Sequence, residues 1–243
     1  MFVIEEQSLA DRNREVIAKT AGKVISRSSG TDIDNFIDAV RLSVPGQGKL
    51  IFALDATMSR QPTWDLACKL QSEMFSETAK LGTLDIQLVY YRGFRECRSS
   101  RWIRDSATLG AMMEGICVAG GQTQIKKILK HAKRVAKKDR ASILVFVGDA
   151  MEESLDQLAH IAGQLALLNM KLLMFQEGED AQAHSAFAEL ARITDGAHCV
   201  FDSNSPGELR ELLHAAAIYA VGGKVALENS RSSGATKLLG YNR

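Results

Sequence analysis

Residues 49–59 read KLIFALDATMS, and this stretch decides the fold. Leu50 to Leu54 are apolar without a break, the pattern of a short strand covered on both faces, as in a parallel sheet. A second run of the same kind, Ser142–Gly148 (SILVFVG), lies far downstream. Strands buried on both faces need helices above and below them, and the intervening segments supply these. Pro62–Lys80 sets Leu66, Leu70 and Met74 on one helical face, and Pro62 suits a first turn. Gln124–Lys138 carries an apolar stripe of Ile125, Ile128, Leu129, Ala132, Val135 and Ala136, with lysines over the rest. Further helices are predicted over Ala107–Val118, Glu153–Asn169, Ala181–Thr194 and Glu208–Tyr219, and strands over Lys171–Gln176 and His198–Phe201. Asp85–Tyr91 and Phe94–Arg98 flank Arg92-Gly93, which predicts a hairpin. The expected fold is α/β: a doubly wound, mostly parallel central sheet of about six strands with one antiparallel edge strand, flanked by helices.

Outward from this core the chain changes character. Residues 1–47 read as an N-terminal helical extension that ends at Pro45-Gly46-Gln47-Gly48. Within it Thr31 stands three residues before Asp34, an N-cap signal, and Ile33, Phe36, Ile37 and Val40 follow at helical spacing. Residues 48–221 form the α/β domain. Residues 222–243, rich in Ser and Gly, read as a flexible C-terminal tail.

Composition narrows the function. The chain has 30 Lys+Arg against 29 Asp+Glu, which argues against a generally basic nucleic-acid binder. The richest apolar stretch, Leu165–Phe175, is interrupted by Asn169 and Lys171, so no membrane span is expected. The N-terminus turns acidic at once and lacks the order of a signal peptide. Cys68, Cys97, Cys117 and Cys199 form no CxxC pair, so neither a zinc knuckle nor a disulfide framework is indicated, and a reducing cytoplasmic setting is expected. The near-neutral total conceals a dipole. Ile86–Arg140 holds 13 basic and 4 acidic residues, a net of +9, whereas Ala141–Gly223 holds 3 basic and 12 acidic, a net of −9.

In open α/β sheets ligands gather at the carboxyl ends of the strands. The first apolar strand ends in Asp55, followed by Thr57 and Ser59; the second is followed by Asp149; and Gly120-Gly121-Gln122-Thr123 puts one more hydroxyl just ahead of a helix. Two carboxylates and three hydroxyls are hard oxygen donors, suited to Mg²⁺ or Mn²⁺. The same Thr57 and Ser59 also suit the N-cap of the helix that follows.

Asp55-x-Thr57-x-Ser59, then Thr123, then Asp149 resembles the metal-ion-dependent adhesion site (MIDAS) of von Willebrand factor A (VWA) domains. The resemblance runs from about Gly48 to Val221 and implies a Rossmann-like fold. Two positions depart from the family pattern. Thr57 stands for the usual Ser, and Ala150 follows Asp149 where the family often has Gly. Neither change removes an oxygen donor. The resemblance implies that Ser59, with Thr57 or Thr123, meets a Mg²⁺ or Mn²⁺ ion directly, and that Asp55 and Asp149 do so directly or through water. A free position would then take an Asp or Glu from a partner protein. It further implies a non-enzymatic adaptor, working beside a MoxR-type AAA+ ATPase or within a multiprotein assembly.

Two other functions compete. A Mg²⁺-dependent aspartyl-phosphate phosphatase of the haloacid dehalogenase class would use Asp55 as nucleophile and Gly148-Asp149-Ala150-Met151-Glu152-Glu153 as its acidic loop. Against it stand a helix beginning almost directly after Ser59 and some ninety residues after Asp149. A ribonucleoprotein module would use the +9 segment. The series Arg92, Arg95, Arg98, Arg101, Arg104 fits no single strand or helix face and is expected to fan out over the hairpin and loop. No phosphate loop or nucleophile elbow is present. Cys199 reads as a buried core thiol, and His160 and His214 as surface or packing residues.

Overall fold

The computed structural model describes residues 47–57, 65, 69, 81–202 and 206–240, which belong to the second of two units, Val44–Arg243. The helical extension expected over residues 1–47 lies outside the described residues, apart from Gln47. So does the helix expected over Pro62–Lys80, apart from Asp65 and Lys69.

The described elements run β1 (Gln47–Asp55), β2 (Thr83–Arg92), β3 (Glu96–Ile103), α1 (Ser106–Glu114), α2 (Ile125–Asp139), β4 (Ile143–Gly148), α3 (Leu155–Ala166), β5 (Lys171–Glu177), α4 (Ala181–Ile193), β6 (Ala197–Phe201), α5 (Pro206–Ser230) and α6 (Ser233–Gly240). They build one sheet of six strands in the order β3-β2-β1-β4-β5-β6. All neighbours pair in parallel except β2 and β3, which are antiparallel. The predicted α/β architecture with one antiparallel edge strand is the one observed.

Alternation along β1 divides the core. Leu50, Phe52 and Leu54 face one way and pack with residues of α1, α5 and α6. Ile51 and Ala53 face the other way and pack, with Val89 and Tyr91, against α2, α3 and α4. Both faces are dry, which explains why the central strands read as unbroken apolar runs. The edge strand β3 behaves differently. Its Arg98, Ser99 and Arg101 are exposed, and charge on an unpaired strand edge discourages further pairing.

The flexible tail expected over residues 222–243 is corrected by the structure across residues 222–240. Helix α5 continues past Gly222 with a kink at Gly223, whose φ of 67° and ψ of −164° suit glycine, and α6 then packs back on the core. Leu227, Ala235 and Leu238 are buried there. Gly234 permits the contact, since a Cβ at that position would stand 2.0 Å from the carbonyl oxygen of Glu211. Gly223 makes the kink, Gly234 the close approach between helices, and the Ser232 hydroxyl accepts the Ala235 N–H (3.1 Å) at the start of α6. Leu238→Ala is therefore expected to lower stability by about 2–4 kcal/mol, read as a fall in Tm of several degrees. A tail that only trails in solvent would leave Tm unchanged.

Among the described residues no helix is long and apolar enough to cross a membrane.

Candidate metal centre

The strand order creates a switch point. From β1 the sheet grows one way through β2 and the other way through β4, so a crevice opens beyond the carboxyl ends of β1 and β4. Asp55 is the last residue of β1, and Asp149 follows the last residue of β4. Leu54 pairs with Val147, and the site for a Cβ on Gly148 lies 3.8 Å from the Cβ of Asp55. The two carboxylates named from the sequence thus stand at the same crevice.

Asp55 is 2% exposed. Its Oδ1 accepts a hydrogen bond from the Thr57 backbone N–H at 2.8 Å, and its Oδ2 accepts one from the Tyr91 hydroxyl at 2.9 Å. The Thr57 side chain hydrogen-bonds the same carboxylate. Burial raises the Asp55 pKa above the usual carboxylate value, and nearby Asp149 adds to the rise. Tyr91, fully buried, has its phenol pushed well above the ordinary range by burial and then by Asp55. Thr57 is buried beside Asp55, whereas Ser59 lies outside the described residues.

The third donor loop is laced to the first. Ala119 donates its N–H to the Ala56 carbonyl (3.1 Å), and Ala56 donates to Tyr91 (2.9 Å). Gln122 donates its N–H to Gly93 at the hairpin turn (3.3 Å), and Gln124 Nε2 donates to the carbonyls of Arg92 (3.2 Å) and Gly93 (3.0 Å). The loop approaches so closely that a Cβ on Gly121 would fall 2.0 Å from the Gly93 carbonyl oxygen. Thr123 then sits buried ahead of α2, and its hydroxyl oxygen accepts the Glu152 N–H at 3.0 Å.

Glu152 and Glu153 complete the frame. Glu152 Oε2 accepts the Thr123 N–H (2.9 Å), and Glu153 accepts the N–H groups of Ile125 (2.5 Å) and Lys126 (3.1 Å) at the start of α2. Two otherwise orphaned donors of the first turn are thereby satisfied, with a favourable charge at the positive helix end. Asp149 contrasts with both, because its Oδ1 is buried without a hydrogen-bond partner among the described residues. A buried carboxylate oxygen left open is costly unless something positive meets it.

The residues present therefore fit a hard divalent cation: two carboxylates, at least two hydroxyls and one unsatisfied buried oxygen. No group of three or more His, Cys, Asp or Glu side chains suited to a metal occurs among the described residues, so a site here depends on the hydroxyls. Tyr91, Glu152, Glu153 and Gln124 hold the donors in place; Glu152 and Glu153 were marked only as the acidic loop of the phosphatase reading, and Tyr91 and Gln124 by no motif. Tyr91 reaches Asp55 because the two are opposite in the parallel register of β1 and β2, which no local sequence signal shows.

The remaining candidates take other roles. Burial pushes the Cys199 thiol up to about 12, so it is protonated at neutral pH and no nucleophile. Arg92 and Arg98 both bond Glu96 (2.8 and 2.6 Å), and Arg104 pairs with Asp85 (2.7 Å). These arginines brace the hairpin.

Sheet order and helix layers define a doubly wound α/β fold with one antiparallel edge strand, and solved VWA structures share it. A von Willebrand factor type A protein from Catenulispora acidiphila superposes with a TM-score of 0.57 at 15% identity, over 71% of this chain and 43% of that one. The SpRpn10 VWA domain matches with a TM-score of 0.51 at 14% identity, over 66% of this chain and 89% of its own. Proximal thread matrix protein 1 from the mussel byssus, solved with a zinc-occupied MIDAS motif, matches with a TM-score of 0.56 at 12% identity, over 70% of this chain and 45% of that one. The chain spans less than half the length of the first and the last of these. At such identities the likeness is one of fold. No protein-family model and no curated protein matches the sequence.

Proposed function

We propose that this chain is a non-enzymatic, divalent-metal-dependent protein-binding module. Asp55, Thr57, Ser59, Thr123 and Asp149 would hold Mg²⁺ or Mn²⁺, and a partner protein would present an Asp or Glu to it. The buried, unsatisfied Oδ1 of Asp149 beside the buried Asp55 carries this reading. A neighbour in fold whose MIDAS holds zinc supports it. When bound, the ion supplies a positive centre able to accept one more carboxylate oxygen. The chain's own residues do the rest. Tyr91 and the Thr57 N–H orient Asp55, Glu152 fixes the Thr123 loop, and Glu153 keeps the start of α2 in register. With hydroxyls among the donors, two carboxylates only about balance a divalent charge, which leaves it electrophilic toward an incoming anion.

A role beside a MoxR-type AAA+ ATPase or in a multiprotein assembly, in the cytoplasm, belongs to the same reading. Titration calorimetry on the full chain tests it. One Mg²⁺ or Mn²⁺ is expected per chain, and a short peptide bearing a single Asp should bind only the loaded form and leave on chelation with EDTA. Absence of metal binding, or peptide binding indifferent to EDTA, would overturn it. The phosphatase reading gains from the two strand–helix units observed after Asp149 no more than before: β5–α4 and β6–α5 fill that space. Its other discriminator, the helix after Ser59, lies outside the described residues.

A further inference from the structure

Helix α2 presents a second surface, joined to the donor loop where Lys127 donates to Gln124 Oε1 (2.6 Å). Lys127, Lys130, Arg134 and Lys137 recur at intervals of three and four residues, so they form one exposed stripe about 15 Å long. They border an open groove that Arg98 of β3 and Lys133 also line, and no Asp or Glu lines it. Some of these cations are engaged: Lys127 donates to the Arg95 carbonyl (2.7 Å), Lys133 to Gln164 (2.6 Å), and Arg98 to Glu96 (2.6 Å). Among the described residues, no ion pair is formed by Lys130, Arg134 or Lys137. Like charges stacked on one helix face repel and lower helix stability, so the arrangement costs the chain something in isolation.

We propose that this groove docks an acidic segment of a partner protein, independently of any metal. Two observations favour acidic peptide over nucleic acid. The groove's only rings among the described residues are the imidazoles of His131 and His160, with no Phe, Tyr or Trp to give a broad platform for stacked bases. The −9 half of the chain, Ala141–Gly223, would repel a long polyanion extending beyond the groove, whereas a short acidic segment ends before meeting it. A stripe of about 15 Å is spanned by roughly five residues of extended peptide.

Fluorescence anisotropy on the full chain, in EDTA so that the metal centre is silent, tests this. The probe is labelled octaglutamate. Binding is expected, falling steeply with salt, and weakened about tenfold or more in Lys130→Glu/Arg134→Glu, with the milder Lys130→Gln/Arg134→Gln intermediate. Because the measurement is made in EDTA it reads the groove alone, so failure here and failure of the metal reading are separate results. Far-UV circular dichroism confirms that the exposed substitutions leave the fold intact. No binding, or binding indifferent to both double variants, overturns the proposal. So does a single-stranded oligonucleotide of equal charge binding more than tenfold tighter, which would make the groove a nucleic-acid surface. Salt-dependent self-association that blocks the probe would likewise overturn it, by making a second copy the occupant.

Discussion

Asp55→Ala is expected to weaken Mg²⁺ binding by more than about 100-fold, beyond the loss that follows removal of an outer partner of a metal ligand. The reasoning is electrostatic. Asp55 is one of the two carboxylates this reading gives to the ion, and its removal halves the charge they supply to balance a divalent ion. The alanine also deprives the Tyr91 hydroxyl and the Thr57 N–H of their acceptor, which adds a structural penalty. Asp55→Asn separates the two effects. Its amide oxygen can still accept a hydrogen bond, but the charge is gone. Both variants should lose metal and metal-dependent peptide binding alike, with Asp55→Asn keeping its Tm near that of the parent. Thr57→Ser, which retains the hydroxyl and removes a methyl group, should be nearly silent. Titration calorimetry reads all three, and an Asp55→Asn chain that binds Mg²⁺ within threefold of the parent would remove Asp55 from the site.

Phe146→Ala is expected to cost about 3–5 kcal/mol, the range for truncating a buried aromatic ring. Phe146 is 1% exposed in the middle of β4. Its ring stacks near Tyr91 (centroids 6.3 Å apart) and meets Phe187 of α4 edge-on (5.5 Å). It also fills the space beneath Gly148, where a Cβ would stand 2.7 Å from the ring. Removing it opens a cavity under both residues that define the crevice, Tyr91 on one side and Gly148-Asp149 on the other. A drop in Tm of roughly 10 °C is expected for a domain of this size, with weaker metal binding although no donor is touched. Unaltered metal affinity in a destabilised variant would show that the crevice does not depend on this ring.

The sheet was legible because its central strands are dry on both sides. Ile51 and Leu144 need cover as much as Leu50 and Val145, so apolar residues run without alternation and strand stands out from helix. The turn at Arg92-Gly93 was legible for a local reason, the positive φ of 58° at Gly93. Strand β3 proved longer than Phe94–Arg98. Half of it faces solvent on the sheet's edge, and Arg98 and Arg101 carry no apolar rhythm. The C-terminal helices were hidden by composition. Gly222, Gly223 and Gly234 read as loop, and nothing local reveals that Leu238 closes the core against α5.

At the candidate centre the donors were legible and their supports were not. Asp55 and Asp149 stand out because each is a charge at the end of an apolar strand. Tyr91, Glu152 and Glu153 act through hydrogen bonds to residues 28 to 36 positions away, and such pairings leave no local periodicity. Glu153 was visible only as part of an acidic run after Asp149.

The bond from Glu153 to the start of α2 also sets a clock. An α-helix ordinarily frays at its first turn, because those amides have no partner inside the helix. Here the amides of Ile125 and Lys126 borrow their partner from the segment that follows β4, 28 and 27 residues on. Their deuterium uptake should then be governed by opening of that segment, separately from the remainder of α2. In Glu153→Gln both amides should exchange faster while Leu129 and Ala132 keep their rates. Adding Mg²⁺ should slow exchange at Ile125 and Lys126 in the parent, so that two backbone amides report on an ion neither of them touches.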